Sequence, residues 1–330
     1  MRAAVLERLN KPLIVKELAI LELSFGQVLV KIHASGICGA QMGEVCGANG
    51  VDKYLPHLLG HEGGGEVLEV GPGVSTVKPG DHVVLHWRKG TGMEANPPVY
   101  IDADGNSVGA GWVTTFSEAA VISENRLTVI DDDVPFDIAA LMGCAVTTGL
   151  GLINNDAQLK IGQSIAVAGC GGIGLNVIQG ARIVGATPII AIDIHDSKLE
   201  MAKKFGAIYT YNSSGWSFGD VDVFVDCTGN PDVIAFGYSI AKKTILVGQP
   251  KKGECLTIPN VRSCYCGKTI MDSQGGQTNP SVDIPNYLKL YKSGRLNLID
   301  LITHRFKLED INAAMSMAFS GKAVRCVLEM

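Results

Sequence analysis

No run of apolar residues in this chain has the length and continuity of a signal peptide or a membrane span. The N-terminus, Met1-Arg2-Ala3-Ala4-Val5-Leu6-Glu7, lacks an apolar stretch of secretory length. The most apolar region, Ile161 to Ala191, is broken by glycines, Gln163, Gln179 and Arg182. A basic excess is also missing. A net charge of -5 leaves no electrostatic footprint for nucleic acid or an anionic membrane. There is no charge block and no internal repeat. The nine cysteines are scattered and odd in number, and at this length, without a secretory signal, they do not form a disulfide framework. These absences lead to the expectation of a soluble, cytoplasmic protein whose partner is a small molecule.

What is present suits two domains. The chain has 330 residues, 46% of them hydrophobic and 18% charged, enough for sizeable cores and too apolar for disorder. Up to about residue 146 the pattern is short strands and turns. Gln27-Val28-Leu29-Val30-Lys31-Ile32-His33-Ala34 largely alternates, Val83-Val84-Leu85 is a further strand, and Gly71-Pro72-Gly73 and Lys78-Pro79-Gly80-Asp81 mark turns. This reads as irregular all-β structure. Near Thr147 the pattern changes. Strands are expected at Ser164–Gly169, Ile189–Asp193, Val221–Asp226 and Thr244–Gly248, with helices at Leu175–Val184 and Lys198–Phe205. Strands alternating with helices imply an α/β fold with a doubly wound parallel sheet.

Gly169-Cys170-Gly171-Gly172-Ile173-Gly174 fits Gly-x-Gly-x-x-Gly and lies between an expected strand and an expected helix. Glycines there permit a tight turn and close approach of backbone to a pyrophosphate, which the helix N-terminus attracts. Asp193 follows 19 residues after the last glycine, at the end of the second strand. A carboxylate in that place accepts hydrogen bonds from ribose hydroxyls and repels a 2′-phosphate, favouring NAD over NADP. A glycine turn that only packs helix on strand is the structural alternative.

Cys38, His61 and Cys144 are far apart, and spacing alone does not make them ligands. A lone cysteine is more often a small core residue. The stretch Gly60-His61-Glu62, two residues, Gly65, five residues, Gly71, two residues, Val74 resembles the signature of the zinc-dependent medium-chain alcohol dehydrogenases. Gly80-Asp81-His82-Val83, Leu159-Lys160-Ile161-Gly162 and Gly321-Lys322-Ala323-Val324-Arg325 are similar to that family too. The resemblance implies a GroES-like catalytic domain built from residues 1–146 and 274–330 around a Rossmann NAD-binding domain, 147–273. It implies one catalytic Zn2+ on Cys38, His61 and Cys144, an open position for substrate, and Glu62 as a transient ligand or neighbour of the metal. It implies Lys198 near the adenosine ribose, Arg325 near a cofactor phosphate, Thr148 at the nicotinamide, Thr228 and Val247 along the cofactor groove, and a homodimer or homotetramer.

Three features depart from the family. No cysteine lies between Cys46 and Cys144, so the lobe that holds a structural zinc in many relatives is not expected; the segment from His86 to Trp112 stands in its place, and Cys264-x-Cys266 reads as two ordinary thiols. Ala40 and Gln41 occupy the positions where the family usually has Ser or Thr, then Asp. Alanine has no hydroxyl to pass the alcohol proton; water, Glu44 or the cofactor ribose are the substitutes, and Gln41 is a candidate to orient a zinc ligand. Trp87 matches a substrate-pocket wall, and the Trp87-Arg88 pair resembles thiol-dependent formaldehyde dehydrogenases, with Arg88 and Lys89 as possible contacts for an anion. The expected substrate is a polyol, cyclitol, sugar or sugar derivative. The alternatives are a thiol-adduct alcohol dehydrogenase and a non-catalytic NAD-binding scaffold.

Overall fold

The alternating stretch that starts at Gln27 becomes an 11-residue strand, Gln27–Ile37, and the first part of the fold is built on it. This computed structural model describes every residue except 49, 213–217, 259–261, 263, 265 and 266. The chain divides into one unit of Met1–Cys144, Asn279–Leu290 and Leu298–Met330, and another of Ala145–Thr278 and Tyr291–Asn297. No single helix among the described residues is long and apolar enough to cross a membrane.

In the first unit, Gln27–Ile37 lies inside a sheet ordered Leu127–Val129, His82–His86, Glu62–Val70, Gln27–Ile37, Arg325–Glu329, Ile302–Lys307, and it also pairs with Ala119–Ser123. Its alternate residues Val28, Val30 and Ile32 are buried with Val67, Val83, Leu85 and Ile122. Each such side chain contributes about 1.5–3 kcal/mol on burial. Five short strands, Arg2–Leu6, Ile14–Ala19, Val99–Asp102, Ser107–Gly109 and His57–Leu58, close a small barrel. The hairpin Val99–Gly109 belongs to the cysteine-free segment, so that segment builds barrel rather than a metal lobe. The all-β expectation misses two helices, Gly39–Val45 and Phe136–Met142, each of 7 residues. Two turns of helix are too short to display a hydrophobic period.

The second unit holds a six-stranded parallel sheet: Ile165–Ala168, Ile189–Asp193, Tyr209–Asn212, Val221–Asp226, Ala241–Leu246 and Thr269–Asp272. The spatial order is third, second, first, fourth, fifth, sixth. The first and fourth strands are therefore neighbours, and the connections diverge there. In open parallel sheets a ligand binds at this switch point, outside the carboxyl ends of the strands. The helix expected from Leu175 starts earlier, at Gly172, because Gly171 is its N-cap. The helix expected from Lys198 starts at Asp196. The strand expected at Thr244–Gly248 ends at Leu246, before the loop that carries Val247 and Gly248.

Candidate active site

Three segments of the first unit meet around Glu62. Cys38 follows the strand Gln27–Ile37, His61 precedes the strand Glu62–Val70, and Cys144 follows the helix Phe136–Met142. Such close passage needs missing side chains. A Cβ on Gly143 would lie 2.3 Å from the Leu85 carbonyl oxygen and 2.8 Å from Glu62 Cα; one on Gly36 would lie 2.8 Å from the Glu62 carboxyl carbon. Glycine at these two places lets the chain reach Cys144 and Cys38 beside His61.

The result is a compact donor set. One ligand atom each from Cys38, His61 and Cys144 lies within 4.8 Å of the others. The two sulfurs are 3.9 Å apart. Two sulfurs each about 2.3 Å from a tetrahedral zinc stand about 3.8 Å apart, so the spacing suits that ion. His61 Nε2 is buried and makes no hydrogen bond among the described residues, as an atom reserved for a metal would be. Thiolate and imidazole donors select zinc over magnesium or calcium. This is the sole group of three metal-capable side chains found among the described residues. Cys264 is exposed, and Cys266 lies outside the described residues.

The surroundings tune these ligands. The Cys144 thiol donates to Cys38 and holds its thiol well below the ordinary range, with His61 and Arg325 adding positive charge. Cys144, as donor to that sulfur, is pushed up. Burial disfavours a charged His61, but the Cys38 sulfur and Glu62 outweigh it and raise the imidazole. Gln41 spans the site: its Oε1 accepts from the Cys38 backbone N–H at 3.0 Å, and its amide nitrogen contacts His61 Nδ1. Arg325, 5% exposed, forms an ion pair with the fully buried Glu62. Strand register explains the meeting, because Cys326 pairs with Ile37 and so sets Arg325 beside Cys38. Burial works against the Arg325 cation, but Glu62 and the two sulfurs hold it protonated.

A cavity of about 680 Å³ opens from His61 within the first unit. Its wall includes Glu44, Asp52, His57 and Trp112. Trp112 is the tryptophan that lines this cavity. Trp87 follows the strand His82–His86, whose last residue pairs with Glu62, and carries Arg88 over its ring at 5.7 Å. Lys89 pairs with Glu94. Trp112 is backed by Arg126 at 5.7 Å. Sequence reading missed Asp52, His57 and Trp112, since no spacing links them to the metal ligands.

In the second unit the glycine turn has the form a dinucleotide needs. Gly169 has φ +90°, a left-handed conformation. A Cβ on Gly174 would lie 1.9 Å from the Gly169 carbonyl oxygen, whereas one on Gly171 meets nothing within 4 Å. Gly174 thus packs helix on strand, and Gly171 leaves an open cradle at the N-terminus of the helix Gly172–Val184. Ile173 is half-buried in its first turn. Asp193 Oδ2 accepts from the Cys170 N–H at 2.7 Å, and Oδ1 from the His195 N–H at 2.9 Å. Thr228 and Val247 lie at the carboxyl ends of the fourth and fifth strands; the Thr228 hydroxyl donates to Asp226 at 2.6 Å. Lys198 is in the first turn of the helix Asp196–Phe205, and Thr148 is buried in the helix Ala145–Gly151.

Comparison with known proteins agrees with this arrangement. Residues 24–132 match the alcohol dehydrogenase GroES-like domain family, and residues 172–293 the zinc-binding dehydrogenase family. The chain is 32% identical to S-(hydroxymethyl)glutathione dehydrogenase of Paracoccus denitrificans, over 99% of each sequence. The structure of an alcohol dehydrogenase zinc-binding domain protein from Burkholderia ambifaria superposes with a TM-score of 0.93 at 29% identity, over 100% of this chain and 98% of that one. Galactitol-1-phosphate dehydrogenase from Escherichia coli does so with a TM-score of 0.81 at 26% identity, over 100% of both. With its GroES-like and Rossmann-type parts and its Cys-His-Cys site, this chain belongs to the zinc-dependent medium-chain alcohol dehydrogenases.

Proposed function

We propose that the chain catalyses reversible oxidation of a polyol, cyclitol, sugar or sugar derivative to the corresponding carbonyl compound, with NAD as hydride acceptor. The observation that carries the proposal is the convergence of Cys38, His61 and Cys144, with His61 Nε2 left unpaired and His61 lining a cavity. When bound there, zinc supplies Lewis acidity toward an alcohol or carbonyl oxygen, and the nicotinamide takes or returns the hydride. The chain's own residues do the rest. Cys38, His61 and Cys144 hold the ion, Gln41 holds the Cys38 backbone N–H beside His61, and Arg325 offsets the charge of Glu62 and the sulfurs. Gly169, Gly171, Gly172, Ile173 and Gly174 receive the pyrophosphate, and Asp193 selects NAD over NADP. Thr148, Lys198, Thr228, Val247 and Arg325 remain proposed cofactor contacts on the family resemblance.

For the substrate, the cavity wall offers acceptors more than cations: Glu44 and Asp52 outweigh Lys53. Such a wall suits hydroxyl groups, and the galactitol-1-phosphate dehydrogenase likeness supports the polyol reading. A thiol-adduct substrate is the second reading, favoured by the Paracoccus relative. Against it, the cations expected to meet an anion are engaged elsewhere, Arg88 on Trp87 and Lys89 on Glu94. The intact donor triad argues against a scaffold that has lost activity. Metal analysis together with NADH formation across polyols, cyclitols, sugars and S-hydroxymethylglutathione tests the proposal. One zinc per chain and turnover of a polyhydroxy substrate is the expected result. Bound zinc without turnover of any alcohol or carbonyl compound would overturn it.

A further inference from the structure

We propose that Glu44 is the residue that takes the alcohol proton in this chain, in place of the hydroxyl that Ala40 lacks. The assignment rests on the reading of the site given above as an alcohol dehydrogenase. Its basis is the short helix Gly39–Val45. Gln41 and Glu44 are three residues apart on that helix and so share a face. Gln41 contacts His61, and Gln41, Glu44 and His61 all line the same cavity.

Elimination among the wall groups leads to the same residue. The Asp52 carboxylate is used: Oδ2 meets His57 Nε2 at 2.8 Å, and Oδ1 accepts from the Tyr54 N–H at 2.9 Å. His57 Nδ1 faces the Leu58 carbonyl oxygen at 2.9 Å. Both ring nitrogens of His57 are therefore engaged, one at Asp52 and the other at the Leu58 carbonyl oxygen. Lys53 is a donor. The Glu44 carboxylate makes no side-chain hydrogen bond or ion pair among the described residues, and it is the proton acceptor left free on the charged part of the wall. An ionised carboxylate left half-buried without a partner is costly, and such groups occur where they act. Burial pushes Glu44 up from the ordinary carboxylate range, and Cys38 and Asp52 push the same way against His61 and His57. A base moved towards neutral pH is better matched to its task.

In oxidation the alcohol O–H bond breaks and its proton passes to a Glu44 carboxylate oxygen, leaving the electron pair on the substrate oxygen. That pair becomes the carbonyl π bond as the C–H pair leaves as hydride to the nicotinamide. Glu44 then releases its proton to water in the cavity. In the reverse direction the protonated Glu44 is the donor.

The test compares wild type, Glu44→Gln and Glu44→Ala as zinc-loaded enzymes. The expected result for Glu44→Gln is a fall in kcat of about 10²–10⁴-fold, the usual share of general-base catalysis. KM for NAD, zinc content and NADH binding should be unchanged, and the acid limb of the pH profile should be lost. Formate should partly restore Glu44→Ala. Thermal stability of Glu44→Gln at pH 8 should equal or exceed that of wild type, since an unpaired desolvated charge is removed. Three results would each overturn the assignment: kcat within about threefold of wild type, a raised substrate KM with kcat intact, or lost zinc with a lowered melting temperature. Wild type inactive on every alcohol would overturn the parent reading as well, whereas an active wild type with an unaffected variant overturns this assignment alone.

Discussion

Replacing Arg325 by leucine isolates the charge balance beneath the metal ligands. Two thiolates and a divalent ion cancel, and so do Glu62 and Arg325. Arg325→Leu would leave one uncompensated negative charge in a place where Glu62 is fully buried and its partner only 5% exposed. Removing one member of a buried pair costs about 3–5 kcal/mol, because the remaining charge stays desolvated. A loss of about 4 kcal/mol is about a thousandfold in the folding constant. Glu62→Gln keeps the shape and removes the charge, so the double variant Glu62→Gln/Arg325→Leu should recover much of the loss. The cycle should give a coupling of more than about 1 kcal/mol, within the range found for residues in one network. Urea unfolding followed by tryptophan emission is the assay, since Trp87 and Trp112 both belong to the first unit. A single-variant cost below about 1 kcal/mol, or strict additivity in the double variant, would refute the reasoning.

Three further outcomes follow from local geometry. Gly174→Ala should cost about 1–3 kcal/mol or more through overpacking against Gly169, whereas Gly171→Ala should keep stability and weaken NADH binding, read by denaturation and by cofactor fluorescence titration. His86 is held neutral, its pKa lowered to about 4 by burial. Its folded value lies below its unfolded one, so stability is full above about pH 6.5 and falls by up to about 3 kcal/mol as pH drops towards 4. The urea midpoint of His86→Gln should fall less over that window than that of wild type. Gln41→Glu should slow zinc loss to a chelator by about 10–100-fold, and a rate within twofold of wild type would count against the role given to Gln41.

The legible part of this chain was what repeats locally. Ile189–Asp193 is a continuous apolar run that ends in an acid, Val221–Asp226 is one interrupted only by Asp222, and the structure has strands at those residues. The glycine turn was legible because its strand, helix and carboxylate fall within one short stretch. The metal site was not legible from pattern. Cys38, His61 and Cys144 have no spacing rule, and only the family resemblance joined them. The Glu62–Arg325 pair spans 263 residues and depends on the antiparallel register of Cys326 with Ile37. Likewise Trp112 lines the cavity that opens from His61, a tertiary placement without local signal.

The two changes at Ala40 and Gln41 are connected through hydrogen-bond capacity. Two N–H groups converge on residue 41 when His61 offers Nε2 to a metal: the Cys38 backbone N–H and the His61 Nδ1–H. An amide has one oxygen, and it serves Cys38. A carboxylate has two and would serve both, which is why Gln41→Glu should tighten the ion. With Gln41, a zinc held by His61 would keep more of its positive charge and would favour loss of the alcohol proton. The proton then needs only a modest acceptor nearby, such as a half-buried carboxylate, and not a hydroxyl in direct line. Loss of the hydroxyl at position 40 and loss of the carboxylate at 41 thus offset one another chemically, and Glu44, on the same face of the same helix, is the acceptor placed to use the difference.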